Sequence, residues 1–239
     1  MPTNNMLGDS SKAHKFTDSV LSLRPKLAVF DCDGTLWAGD AGESFFDWEL
    51  RRGLVRDDVA TWARARYADY RAGKVDEDTM CGEMVTMHRG LSAPTVQKAA
   101  QQFFDENFVQ QIFPEMRELV ERLQQAGCEV WAVSSTNEWV IRSAMKYVGI
   151  SPQRILAAAV QIDSGVVTDR LIRVPSGPGK PKAIREVIGR EPDVAFGNSR
   201  WDCEMLAMAT HGFAVNPNPD LAEAAKQRGW TIFFPDSRE

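Results

Sequence analysis

The sequence predicts an α/β fold: a doubly wound, mainly parallel sheet with a second, all-helical domain inserted into it. Three observations carry that expectation. Short apolar runs that end in polar loops recur along the chain, as at 26–31, 129–134 and 193–197. Helical patterns separate them, which implies parallel strands with helices on both faces of the sheet. One long stretch, 41–111, has helical patterns and no convincing strand.

Taken in order, residues 1–24 begin with a polar segment that lacks the apolar stretch of a signal peptide and are expected to form a disordered lead-in. Lys26-Leu-Ala-Val-Phe-Asp31 suits a buried parallel strand that delivers residues at its carboxyl end. The segment 41–111, rich in Arg, Trp and Phe, forms the helical insertion, so 25–40 and 112–239 make up the core domain. Pro114 suits a helix start and Gly127 follows that helix's end. Glu129–Ser134 is the second strand. Asn137 is placed to cap a helix carrying Trp139, Ile141, Met145 and Val148 near one face. Ile155–Gln161 and Val166–Ile172 flank Asp163-Ser-Gly165 as a β-hairpin. Lys180 lies at the start of a helix reaching Ile188, and strands follow at 193–197, 212–215 and 230–234.

Composition narrows the function classes. Of 239 residues, 44% are hydrophobic and 26% charged, an ordinary globular balance. The net charge of −5 does not favour nucleic acid or an anionic membrane, and no apolar run approaches the ~20 residues that span a bilayer. Four separated cysteines, Cys32, Cys81, Cys128 and Cys203, read as reduced, buried thiols of a cytoplasmic protein. The three histidines are too scattered for a zinc site.

In a doubly wound sheet the site lies beyond the carboxyl ends of the central strands. Asp31-Cys-Asp33-Gly-Thr35-Leu follows the first strand and sets two carboxylates two positions apart. Ser134 and Ser135 end the second. Lys180 opens a helix, and Gly197-Asn198-Ser-Arg-Trp-Asp202 follows the third strand. A carboxylate nucleophile, a second carboxylate as acid and base, hydroxyls, a lysine and a further acid can attack phosphorus, protonate a leaving oxygen and bind a hard cation.

These four motifs, in this order, resemble the haloacid dehalogenase superfamily, closest to its phosphoserine-phosphatase-like branch, from about Lys26 onward. The resemblance implies a Rossmann-like core with a helical cap and a Mg²⁺-dependent phosphatase acting on a small phosphorylated metabolite. Asp31 would be the nucleophile and a metal ligand. Asp33 would be the general acid and base, with its backbone carbonyl on the metal. Thr35, Ser134, Ser135 and Lys180 would serve the phosphoryl group, and Asn198 and Asp202 would complete the metal site. Asp40 and Glu43, just past the catalytic loop, would face the substrate. Cap hinges would fall near 37–42 and 109–114.

Three positions depart from the pattern. Asn198 stands where an aspartate is usual, Met84 where a substrate-binding arginine is expected, and Ser134-Ser-Thr-Asn137 where Ser-Gly-Gly is common. The last two disfavour phosphoserine. A binding or regulatory protein with a weakened metal site, and a phosphotransferase of the same fold, are the alternatives. A dehalogenase lacks the second aspartate present here as Asp33.

Overall fold

β1 (Leu27–Phe30) is four apolar residues, all buried. Such a run suits a strand paired along both edges and covered on both faces. In the computed structural model, which describes residues 6–235, it is the central strand of a seven-stranded sheet. The order is β4-β3-β2-β1-β5-β6-β7. β2 (Glu129–Asn137), β3 (Ile155–Asp163) and β4 (Val166–Arg173) lie on one side of β1. β5 (Val194–Gly197), β6 (His211–Val215) and β7 (Thr231–Phe233) lie on the other. All neighbours are parallel except β3 and β4, the expected hairpin, whose turn residues Ser164 and Gly165 have φ of 49° and 82°. That left-handed pair matches the twist of the flanking strands.

Alternation along β1 sorts its side chains between two cores. Ala28 and Phe30 join the larger one, with α6 (Pro114–Gln125) and α7 (Glu138–Val148). Leu27 and Val29 join the other, formed with α8 (Gly179–Val187), α9 (Cys203–Met208) and α10 (Pro219–Arg228). Asn137 caps α7 as expected, accepting from the Val140 amide at 3.0 Å. Because the chain goes from β1 to β2 on one side and later to β5 on the other, a crevice opens beyond the carboxyl end of β1.

The lead-in expected to be disordered over 1–24 is helical over residues 6–22. α1 (Met6–Ser22) buries Phe16, Thr17 and Val20, and the Phe16 ring stacks on Phe233 with centroids 3.9 Å apart. This apolar face is narrow and its partners, α6 and the last two strands, are distant in sequence, so local polarity hid it. Residues 1–5 fall outside the described residues.

Four helices form the insertion: α2 (Ala41–Arg52), α3 (Asp57–Arg71), α4 (Glu77–Thr86) and α5 (Ala93–Asn107). Its two connections run side by side, with the Ala38 amide donating to Gln111 O at 2.9 Å and the Phe113 amide to Leu36 O at 3.0 Å. The cap is also tied to the hairpin, through Gly90 N to Val167 O, Val167 N to Leu91 O and Ala93 N to Gly165 O, each 2.9 Å. Phe45, Phe103 and Phe104 of the cap belong to the larger core. A separate small cluster, including Phe46, Leu50, Ala60 and Ala63, holds α3 against the rest of the cap. Among the described residues no helix is long and apolar enough to cross a membrane.

Candidate active site

Beyond Phe30 the chain still follows β5, the Asp31 amide donating to Phe196 O at 2.9 Å, and then turns. Gly34 makes the turn with φ of 72°, a left-handed conformation that favours glycine, and a Cβ there would lie 1.8 Å from Nδ2 of Asn198. The turn leaves Asp31 buried between two donors. Lys180 Nζ donates to its Oδ1 at 2.7 Å, and Thr35 Oγ1 donates to its Oδ2 at 2.9 Å. Burial and the nearby Asp202 raise Asp31 to about 6 despite the opposing Lys180. Lys180, in the first turn of α8, also donates to Asp202 Oδ1 and, at 3.2 Å, to Val133 O. Those three bonds use every ammonium proton. Burial disfavours the charged lysine, but Asp202 and Asp31 outweigh it and hold the Lys180 pKa above its ordinary value.

Asp33 has no cation against it. Its Oδ1 accepts from Trp37 Nε1 at 2.8 Å and the Ala41 amide at 2.6 Å, and its Oδ2 from Thr136 Oγ1 at 2.7 Å. Burial, then the charge of Asp40, push it up to about 7. Two carboxylates on one loop thus differ: one is fixed by an ammonium, the other by neutral donors and poised to carry a proton.

The sequence model of the haloacid dehalogenase-like hydrolases matches residues 28–207, most of the chain and all of the motifs above. The chain belongs to this family. Relatives include a histidinol-phosphatase of Neisseria meningitidis, 28% identical over 86% of this chain and 97% of that protein. Phosphoserine phosphatase SerB1 of Mycobacterium tuberculosis is 25% identical over 86% of this chain and 69% of its own length. A Bordetella pertussis protein of unknown function has the same fold, with a TM-score of 0.76 and 23% identity over 87% of this chain and 97% of that one. A phosphoserine phosphatase solved as a phospho-aspartyl intermediate analogue gives 0.56 and 18%, over 89% and 94%.

In this haloacid dehalogenase-like frame, two of the expected site residues have their polar atoms engaged by protein neighbours. Asp202, expected on the metal, is one. Its Oδ1 is taken by Lys180, and its Oδ2 accepts from the amides of Asn198 and Ser199 at 3.0 and 2.9 Å and from Ser199 Oγ at 3.2 Å. The residue is fully buried and clamps the 197–202 loop. Thr35, expected at the phosphate, is the other, its hydroxyl donating to Asp31. Ser134 keeps a free proton, since its Oγ accepts from the Thr136 amide at 3.1 Å. Asn198 lies against Gly34, next to Asp33. The Asp31 carboxylate, the Asp33 carbonyl and the Asn198 amide are all hard oxygen donors, a set that fits Mg²⁺.

Trp37 and Thr136, which fix Asp33, were not singled out from the sequence. Trp37 follows Asp33 by four residues and was readable as a neighbour, whereas Thr136 comes from another strand. Ser135, Asp40 and Glu43 line a cavity of about 180 Å³ between cap and core, floored by Thr136 and walled in part by Met84. Arg52, Arg56 and Arg66 of the cap pair instead with Glu106, Asp58 and Glu83 outside it. Of the four free cysteines, Cys32 and Cys128 are buried as expected. Cys81 and Cys203 are half-buried, and Cys81 opens onto the cavity.

Proposed function

We propose that this hydrolase is a Mg²⁺-dependent phosphatase of small phosphomonoesters that works through a phospho-aspartyl intermediate on Asp31. The observation that carries the reading is the contrast between Asp31, held by Lys180, and Asp33, held near 7 by burial with no cation beside it. The named activities of the relatives above support the same class.

In the first step the Asp31 carboxylate forms a bond to phosphorus while the bond to the leaving oxygen breaks. The proton on Asp33 goes to that oxygen. Asp33, now ionised, then takes a proton from water, and the resulting hydroxide attacks phosphorus, releasing phosphate and restoring Asp31. Trp37, Ala41 and Thr136 hold the Asp33 carboxyl through both transfers. Lys180 offsets the charge of Asp31 as the phosphoryl group approaches, and Ser134 is free to donate to it. Mg²⁺ held by Asp31, the Asp33 carbonyl and Asn198 would neutralise phosphoryl oxygens.

Asp31→Asn, nearly isosteric, is expected to abolish turnover of the best substrate, and retention of a tenth of the activity rejects the nucleophile. Asp33→Asn is expected to slow an alkyl phosphate far more than p-nitrophenyl phosphate, whose leaving oxygen scarcely needs a proton. Equal losses count against the acid role.

A further inference from the structure

The cavity beside Asp33 has an unusual wall. Asp40 and Glu43 enter it from the start of α2, and Glu77 from the first residue of α4. Among the described residues none of the three is ion-paired, while Arg52, Arg56, Arg66, Lys74, His88 and Arg89 of the cap pair with other carboxylates. Arg71, the one cation on the wall, is exposed and bridges to none of them. Asp40 opens onto the cleft but is hemmed in by protein. Burial and the charges of Glu43 and Glu77 raise its pKa. Three carboxylates thus face the space that receives the leaving group of an already dianionic ester.

A second feature of the same wall is aromatic. Tyr67 and Tyr70, three positions apart on α3, have ring centroids 5.7 Å apart and both line the cavity. The Tyr70 hydroxyl donates to Glu77 Oε2, and Cys81 Sγ donates to Glu77 Oε1 at 3.6 Å, so the Glu77 carboxylate is held in place. Met80 and Met84 supply the apolar remainder. Aromatic faces next to carboxylates attract organic cations. The cavity volume of about 180 Å³ suits a small substrate.

Resting on the phosphatase reading above, we infer that the substrate is the phosphate ester of a small cationic alcohol without a carboxylate, its positive end held by Glu77 and the rings of Tyr67 and Tyr70. A protonated amine or imidazole relieves the crowding of Asp40, Glu43 and Glu77. A neutral polyol leaves it in place, and a carboxylate worsens it.

The test is kcat/KM of the full chain with Mg²⁺ for phosphoethanolamine and histidinol phosphate (cationic), glycerol phosphate (neutral), phosphoserine (amine plus carboxylate) and phosphoglycolate (anionic). At least one cationic ester is expected to exceed the neutral one by tenfold or more, with the anionic ester lowest. Glu77→Gln is expected to cut the cationic-to-neutral ratio about tenfold, and Tyr70→Leu to cut it as well. A neutral or anionic ester turned over as fast as the cationic ones overturns the inference. So does a preference for phosphoserine, which would assign Arg71 to a carboxylate, or an unchanged ratio in folded Glu77→Gln. In each of those cases, Asp31-dependent hydrolysis of p-nitrophenyl phosphate leaves the phosphatase reading standing. No turnover of any ester removes both.

Discussion

Asp31 and Asp33 are separated by one residue and by little else in the sequence, yet their partners give them different work. Burial and Asp40 hold Asp33 near 7, and the acid must be protonated when the leaving oxygen departs. The rate for an alkyl phosphate is therefore expected to fall as pH rises through about 7, approaching tenfold per unit above it, in a pH profile of kcat/KM. Asp40→Asn keeps a good helix cap but removes the neighbouring charge, so that limb should move to lower pH. A limb that stays put assigns the ionisation to another group. At Asn198 the question is affinity. An amide carries no net charge, so Asn198→Asp should lower the Mg²⁺ concentration for half-maximal rate in a titration at fixed substrate, and wild type should lose activity in EDTA. Full activity in EDTA would discard the metal site. That Asp31 and Lys180 belong together was readable from residue types and their order along the chain, and the fold sets them 2.7 Å apart. The direction in which Thr35 and Asp202 spend their polar atoms was not readable, because it depends on which neighbours the fold brings within 3 Å.

Elements were the most legible level, since buried parallel strands are continuous apolar runs and helices announce themselves with Pro, Asn and Gly. α1 escaped because its partners, α6, β6 and β7, all lie far along the chain. What no pattern gave was the approach of α2 to the end of β2. A Cβ at Gly42 would lie 2.5 Å from Thr136 Oγ1, the atom that donates to Asp33. Gly42→Ala adds helix propensity of about 1 kcal/mol, so the fold should hold. The displaced Thr136 hydroxyl should nonetheless lower kcat/KM about tenfold, equivalent to ~1.4 kcal/mol. Unchanged kinetics with unchanged thermal stability would mean that Thr136 is dispensable for positioning Asp33.

Across the whole molecule, the expected hinges at 37–42 and 109–114 are tied to each other by backbone hydrogen bonds, and the cap is fastened again at the hairpin. α3 is the less anchored piece. It packs on its own small cluster and is bracketed by Gly53 and Gly73, with φ of 67° and 73° and open space around each. Hydrogen exchange with and without orthovanadate should therefore show protection concentrated in 53–73. Protection confined to the two connections would return the motion to them. The order of the sheet bears on how the chain is made. β1 pairs with Glu129–Ala132 on one edge and Val194–Phe196 on the other, so a ribosome releases it long before either partner. The strand leading to Asp31 waits through the synthesis of the entire cap with bare, apolar edges. A chain cut short of residue 194 keeps one of them bare for good, a template for aggregation rather than an inactive enzyme.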